Sequence, residues 1–182
     1  LNPHISIETY ETALSSKNLD ALAATQFRDF ANSVPGLSFT SSGAGATQIN
    51  LRGISSGGSV SPTVGIYVDE VPYGSSTAFA GAAQLALDAG LFDLDRVEVL
   101  RGPQGTLYGS GSLGGTIKYI TNRPQLEAMS GSVEGTVSQT DGSGGTNWGL
   151  DGVINVPIGK TAALRVAAST LDLAGSIDYR NV

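Results

Sequence analysis

The sequence predicts an α+β fold whose second part consists of long antiparallel β-strands. Apolar residues at helical spacing are confined to residues 16–33, whereas short alternating runs occur on both sides of that stretch. After residue 124 the alternating runs become longer and are separated by turn-like segments. Glycine is abundant, at 25 of 182 residues, roughly twice the average share of about 7 %. These patterns indicate two regions with different architectures.

The composition excludes several classes of protein. The chain has no cysteine and 1 histidine, His4, so a disulfide framework, a structural zinc site and an iron–sulfur cluster are excluded. A net charge of −6 with only 10 Lys and Arg argues against a nucleic-acid-binding protein. No apolar run reaches the roughly 18 residues of a transmembrane helix. The amino terminus lacks a start Met and a signal-peptide pattern, so we expect the interior of a longer product.

The first elements are a short strand and a helical stretch. Residues 4–10 alternate apolar and polar side chains, which predicts a strand. Residues 16–33 have apolar side chains three and four positions apart on both sides of a break near Thr25, which predicts two short helices. A serine at position 15 or 16 is expected to cap the first helix, and Pro35-Gly36 to end the second.

More strands are predicted before residue 124. In residues 48–52, Ile49 and Leu51 share one face. The other predicted strands are residues 63–71, 96–100 and 116–121. Residues 78–92 are alanine-rich and fit either a short helix or a packed loop. The glycine cluster in residues 101–115 indicates tight backbone geometry.

Longer alternating segments follow at residues 131–140, 146–156 and 162–170, joined by turn-like residues 141–145 and 157–161. The middle segment carries Trp148, Leu150 and Ile154 on one face. Strands of ~9–11 residues with a period of two are typical of transmembrane β-barrels, although a soluble β-meander has a similar pattern. Three strands cannot close a barrel, since the smallest bacterial membrane barrels have about eight. We therefore expect these strands to open a larger sheet.

The motifs associated with catalysis lack their structural context. Residues 53–57 match the G-x-S-x-G pattern of α/β-hydrolases, but the only histidine precedes Ser55, whereas the hydrolase order requires it to follow. Residues 109–114 match the dinucleotide-binding pattern G-x-G-x-x-G, but a strand rather than a helix is predicted next. Gly159-Lys160-Thr161 lacks the first glycine of a P-loop.

Acidic residues gather before the strand at residues 96–100. Asp93, Asp95 and Glu98 could form an acid pair or a cation site, but solvated acids at the start of a strand fit the pattern better. The sequence therefore predicts no catalytic residue, no cofactor site and no metal site.

The order of several motifs resembles that of one protein family. The motifs are Val34-Pro-Gly-Leu37, Ile49-Asn-Leu-Arg-Gly53, Pro62-Thr-Val-Gly-Ile-Tyr-Val-Asp69, Arg96-Val-Glu-Val-Leu-Arg-Gly-Pro-Gln-Gly-Thr-Leu-Tyr-Gly109, Gly114-Gly-Thr-Ile117 and Ile120-Thr-Asn-Arg-Pro124. Together they resemble the plug domain of TonB-dependent outer-membrane receptors, and the upstream residues 4–33 look like the start of that plug.

The resemblance implies a fold and a function. Residues 1–124 would form an α+β plug, a small mixed β-sheet with short helices, and residues 125–182 would begin a truncated, roughly 22-stranded transmembrane β-barrel. The family imports siderophore-bound iron, cobalamin, carbohydrates or similar scarce solutes across the Gram-negative outer membrane. Implied partners are outer-membrane lipid, the imported solute and TonB, which pulls an N-terminal box that is not evident in this chain. A fragment of this kind is not expected to transport a solute alone.

The resemblance also assigns candidate site residues. Ligand contacts are expected in the outward loops 55–61 and 73–80, at Ser56, Ser59, Tyr73, Ser76 and Phe79. Plug–barrel contacts or structural motif roles are expected at Arg52, Gly53, Arg101, Gly102, Gly109, Gly114 and Gly115. Arg52 and Arg101 are candidates for charge-assisted hydrogen bonds to acidic residues of the barrel wall.

Two other functions remain open from the sequence. A secreted or cell-surface β-rich module that binds a ligand, such as a carbohydrate-binding or adhesin domain, would have similar strands. A hydrolase built on residues 53–57 would require a reactive Ser55. A reading frame that continues for several hundred codons would favour the receptor.

Overall fold

A computed structural model describes residues 10–22, 24, 26–41, 47–54, 63–73, 92–139, 145–172 and 174. The chain divides into two compact units, Leu1–Thr121 and Asn122–Val182. Among the described residues, no helix is long and apolar enough to cross a membrane.

The first unit is built on a mixed β-sheet. Its strands are β1 (Tyr10–Ser15), β4 (Val64–Val68), β5 (Val71–Pro72), β6 (Leu94–Arg101) and β7 (Gly115–Thr121). They lie in the order β1-β6-β7-β4-β5, and only the β4–β7 pair is parallel. A separate antiparallel pair consists of β2 (Leu37–Ser41) and β3 (Thr47–Leu51). This confirms the predicted mixed sheet.

The helices of this unit are short: α1 (Ser16–Ala21), α2 (Phe27–Ala31) and α3 (Gly105–Tyr108). The Ser15 side chain accepts a hydrogen bond from the Asn18 amide, which confirms the predicted cap. The Asp29 carboxylate accepts one from the Gln26 amide at 2.8 Å and so caps α2. Two helices with a gap between them confirm the predicted break near Thr25, which itself lies outside the described residues.

The core of the first unit lies between helices α1 and α2 and one face of the sheet. Phe27 contacts Phe30 and Phe39 edge to face at centroid distances of 5.3 and 5.5 Å. Strands β6 and β7 contribute buried side chains at alternate positions, such as Val97, Val99 and Ile117. The opposite face of β7 is therefore left for polar groups.

The second unit is an antiparallel sheet of β8 (Ser130–Gln139), β9 (Thr146–Ile158) and β10 (Ala162–Asp172) in the order β10-β9-β8. All three predicted segments are confirmed as strands. The prediction that Pro157 and Ile158 lie in a turn is wrong, because both belong to β9. Pairing with β8 ends at Asn155, so the missing N–H of Pro157 removes no hydrogen bond to that neighbour.

Other expectations for the first unit need correction. The single strand predicted at residues 63–71 is wrong: Asp69 has a φ of 52°, and the chain turns there into β5. Strand β2 and helix α3 are not among the predicted elements. Of the strand predicted at residues 4–10, only Tyr10 is among the described residues, and it begins β1. Residues 78–91 of the alanine-rich segment lie outside the described residues.

Candidate functional site

A tight turn follows β3 at Arg52 and Gly53. Both residues have positive φ, 56° and 73°, and the Ile54 amide donates to the Leu51 carbonyl at 3.1 Å. Positive φ at both central positions is typical of a type I′ turn. The Arg52 amide also donates to the Gly36 carbonyl at 2.7 Å, so the turn is tied to the segment before β2.

Glycines of the β6–β7 loop meet this turn. The Gly102 amide donates to the Gly114 carbonyl at 3.0 Å, which closes the loop at its base. A Cβ at Gly115 would overlap the Leu100 carbonyl oxygen and a methyl group of Leu51, so only glycine fits there. A Cβ at Gly102 would lie 3.6 Å from Nη1 of Arg52.

Five of the predicted residues thus share one region, the arginine–glycine junction: Arg52, Gly53, Gly102, Gly114 and Gly115. Arg101 ends β6 opposite Gly115 and is half-buried beside the junction. Arg52 and Arg101 each have an interaction partner in this chain. Gly109 lies apart, at the end of α3, where its φ of 76° and ψ of −178° suit glycine alone.

A second polar region, the tyrosine–lysine patch, consists of Tyr67, Glu70, Tyr108 and Lys118. The Tyr67 hydroxyl donates to the Tyr108 carbonyl at 2.7 Å, and the two rings meet edge to face at 5.0 Å. Lys118 donates to Glu70 at 2.8 Å and lies 5.6 Å from the centroid of the Tyr108 ring. The patch therefore joins α3 to the parallel strands β4 and β7.

Lys118 is the nearly buried charge of this patch. Its side chain is 8 % exposed, whereas that of Glu70 is 80 % exposed. Burial lowers the pKa of Lys118, but the hydrogen bond to Glu70 and the interaction with Tyr108 outweigh burial, so the pKa is raised. The patch is absent from the sequence-based predictions, although polar residues opposite the core positions of β4 and β7 would have indicated it.

Of the predicted ligand contacts, the structure describes only Tyr73. Its amide donates to the Ile66 carbonyl at 2.8 Å, and the residue is 46 % exposed. Ser56, Ser59, Ser76 and Phe79 lie outside the described residues. The grouping of these five residues stays a prediction.

The enzyme-like motifs take other structural roles where they are described. Gly53 belongs to the type I′ turn, and Ser55 lies outside the described residues. Residues 109–114 lead into β7 rather than a helix, as predicted. Within the described ranges, no cluster of three or more His, Cys, Asp or Glu side chains could hold a metal ion.

Arg96 lies among acidic residues at the start of β6. Its Nε donates to Glu98 at 2.6 Å and its Nη1 pairs with Asp95. Hydrogen bonds to Glu98 and then Asp95 raise the pKa of Arg96. Asp95 and Glu98 thus form an ion-pair network with Arg96 on the strand.

The three-stranded sheet has one apolar exposed face. The exposed apolar side chains on that face are Val133, Val137, Trp148, Leu150, Ile154, Ile158, Leu164 and Val166. At one end of the face, the Trp148 Nε1 donates to the Asp172 carboxylate at 3.1 Å. The other face of β9 carries polar residues, including the buried Asn147 and Asn155. An apolar face on one side and polar residues on the other are typical of membrane β-barrel strands.

Comparisons with known proteins agree with this architecture. The family model described as "TonB-dependent Receptor Plug Domain" matches residues 5–116. The pesticin receptor of Yersinia enterocolitica is 36 % identical over 132 residues, which cover 71 % of this chain and 18 % of that protein. The iron-regulated outer membrane virulence protein of Vibrio cholerae is 29 % identical over 164 residues, which cover 87 % of this chain and 24 % of that protein.

A solved structure shares the fold. The ferripyoverdine receptor of the outer membrane of Pseudomonas aeruginosa superposes with a TM-score of 0.68 at 23 % identity, over 88 % of this chain and 20 % of that one. The chain thus spans between 18 % and 24 % of the lengths of these similar proteins.

Proposed function

This chain belongs to the family of TonB-dependent receptor plug domains, and on that premise we propose that the full-length protein imports a scarce solute with energy supplied through TonB. The chain is an outer-membrane protein of a Gram-negative bacterium. In the proposed receptor the first unit is the plug that gates the barrel, and the second unit is the beginning of the barrel. Its similar proteins are receptors rather than enzymes, and we assign no catalytic role.

One observation carries this proposal. The first unit ends at Thr121, and the chain continues into a sheet whose exposed face is apolar over all three strands. Because a large exposed apolar face is unfavourable in water, a surrounding lipid phase gives that face its natural environment.

An iron chelate of the siderophore type is the solute class that we propose first. The similar proteins include one described as iron-regulated and one described as a ferripyoverdine receptor. Tyr73 would contact the solute together with Ser56, Ser59, Ser76 and Phe79. Small polar hydroxyls and aromatic rings suit a bulky, largely neutral chelate through hydrogen bonds and stacking. Cobalamin and carbohydrates are the other outcomes of the test.

We further propose that Arg52 and Arg101 bind acidic residues of the barrel in the full-length receptor. Both belong to, or lie beside, the arginine–glycine junction, where the backbone is fixed by hydrogen bonds. A guanidinium held on a rigid backbone can form charge-assisted bonds with little loss of entropy. The same residues keep their interactions within this chain.

Uptake by whole cells tests the function. Cells that express the full-length receptor should accumulate radioactive iron presented as a panel of siderophore chelates, and deletion of TonB should abolish this accumulation. Uptake of labelled cobalamin or a labelled oligosaccharide instead would reassign the solute. Accumulation that is equal with and without TonB would contradict the proposed energy coupling.

The same assay tests the arginine role. Arg101→Glu should lower uptake at least about tenfold if a charge-assisted bond to the barrel is lost. Arg28→Glu, at an exposed position of α2, is the matched control and should leave uptake unchanged. Unchanged uptake in Arg101→Glu would remove this residue from the proposed plug–barrel contact.

A further inference from the structure

The segment that follows the first unit has little secondary structure of its own. Residues 122–129 form neither helix nor strand between β7 and β8. Leu126 and Met129 are 47 % and 68 % exposed, so the segment has little apolar burial to hold it. Its backbone must therefore be held by other interactions if it has a defined course.

Asn155 of β9 binds this segment with its side-chain amide. Its Oδ1 accepts from the Gln125 amide at 2.8 Å, and its Nδ2 donates to the Gln125 carbonyl at 2.9 Å. The same Nδ2 donates to the Ala128 carbonyl at 3.0 Å. Both N–H donors and the oxygen are used, and the residue is 0 % exposed. The side chain thus pairs with the segment as a neighbouring strand would.

The position of Asn155 suits this role. It lies on the polar face of the central strand, opposite Ser130, the first residue of β8. Its neighbour Ile154 lies on the apolar face. The three hydrogen bonds are formed where the connecting segment enters the sheet, and they are shielded from solvent. Because these groups are shielded from solvent, a donor or acceptor left without its hydrogen bond would raise the free energy of the folded state. The arrangement with all three hydrogen bonds is therefore strongly preferred.

We propose that Asn155 is a positioning residue that fastens residues 125–128 to the polar face of the sheet, so that this segment moves with the barrel rather than with the plug. The proposal rests on the proposed receptor function. When force is applied to the plug, motion would end before Gln125. Pro124, whose φ is fixed, restricts the residues immediately before this attachment.

Two variants remove the attachment in different ways. Asn155→Asp keeps the shape of the side chain but replaces the two N–H donors with an oxygen that faces two carbonyl groups. Asn155→Ala removes the polar group entirely. Asn147→Asp is the matched control, because Asn147 lies on the same strand and face and is 7 % exposed. Its side-chain amide donates to the Ser138 hydroxyl and accepts from the Ala174 amide.

Amide exchange in the full-length receptor, held in outer-membrane vesicles, measures the attachment directly. Both Asn155 variants should accelerate exchange of the Gln125 amide, read within a peptide that spans residues 122–129, at least about tenfold, while Asn147→Asp should not. Cleavage after Glu127 by a glutamate-specific protease should rise in parallel. The shift of the folded barrel on an unheated gel identifies variants that have assembled.

Equal exchange in wild type and assembled Asn155 variants would overturn the proposal, and so would equal acceleration by Asn147→Asp. If neither Asn155 variant assembles, the wild-type receptor still decides: a Gln125 amide that exchanges at the rate of an unprotected peptide would overturn it. Amide exchange measures the attachment of residues 125–128 to the sheet, whereas uptake with and without TonB measures the receptor function. Failure of one proposal is therefore distinguishable from failure of the other.

Discussion

At the scale of single residues, backbone geometry defines the arginine–glycine junction. Arg52 and Gly53 place two consecutive positive φ angles after β3, and Gly115 leaves no space for a Cβ beside Leu100 and Leu51. A left-handed conformation costs about 1–2 kcal/mol for a residue with a Cβ, so Arg52 carries a cost that Gly53 does not. The hydrogen bond from Arg52 to Gly36 offsets that cost.

Substitution at Gly115 tests this geometry. Gly115→Ala should destabilise the first unit by about 3 kcal/mol, because overlap with the Leu100 carbonyl and a φ of 149° act together. The measurement is the opening free energy of β7 from amide exchange in the assembled receptor. Gly105→Ala is the control: its Cβ would meet nothing within 4 Å, and the change should stay within about 1 kcal/mol. A Gly115→Ala receptor as stable as this control would contradict the account.

Part of this site could be predicted from the sequence. The glycine-rich residues 101–115 indicated tight backbone geometry, and glycines 102, 114 and 115 do occupy such positions. The proximity of Arg52 to Gly102 could not be predicted, because it depends on how β3 and the β6–β7 loop pack in three dimensions. Local patterns contain no information about contacts between residues so distant in the chain.

At the scale of elements, the tyrosine–lysine patch stabilises the one parallel strand pair of the mixed sheet. Tyr67 and Lys118 are directly opposite in the β4–β7 register. The next turn is also tied to β7, since the Asp69 carboxylate accepts from the amide and the hydroxyl of Thr121, both at 2.9 Å. The β4–β5 turn therefore holds both the middle and the end of β7.

The raised pKa of Lys118 predicts a pH dependence. Its charged form is favoured by folding, so this contribution is complete below the ordinary pKa of 10.5 and is lost as pH rises through the folded value. The stability of wild type relative to Lys118→Met should thus be constant from about pH 7 to about pH 10 and fall above it. Urea unfolding of the two receptors at about pH 8 and about pH 11 measures the difference. A difference that grows at the higher pH would contradict the sign.

The strands of the second unit are easier to predict from the sequence than β1 and β2. The β10 segment alternates clearly and was predicted within two residues at its end, whereas β1 and β2 were not. The β2 sequence Leu37-Ser-Phe-Thr-Ser41 is short and polar, and its pairing with β3 makes it a strand. The turn at Asp69 was missed because a positive φ at a residue other than glycine leaves little trace in sequence.

At the scale of the whole molecule, the glycine excess serves two different architectures. In the first unit, glycines permit close backbone approach, as at Gly65, where a Cβ would overlap the Ser112 hydroxyl. In the second unit, Gly159 turns the chain between β9 and β10 with a φ of 71°. In the proposed receptor, both uses belong to a chain that passes from a plug into membrane-spanning strands.

The most direct test of that passage compares two adjacent alanines of β10. Ala168 lies on the apolar face and Ala167 on the opposite face, and both side chains are exposed. An arginine that faces lipid near the middle of a strand costs about 2–4 kcal/mol, whereas one that faces the barrel interior is tolerated. The measurement is the amount of assembled full-length receptor in the outer membrane, read from its shifted band on an unheated gel. We predict a loss for Ala168→Arg and near-normal assembly for Ala167→Arg; equal assembly of the two variants, or a greater loss for Ala167→Arg, would contradict the account.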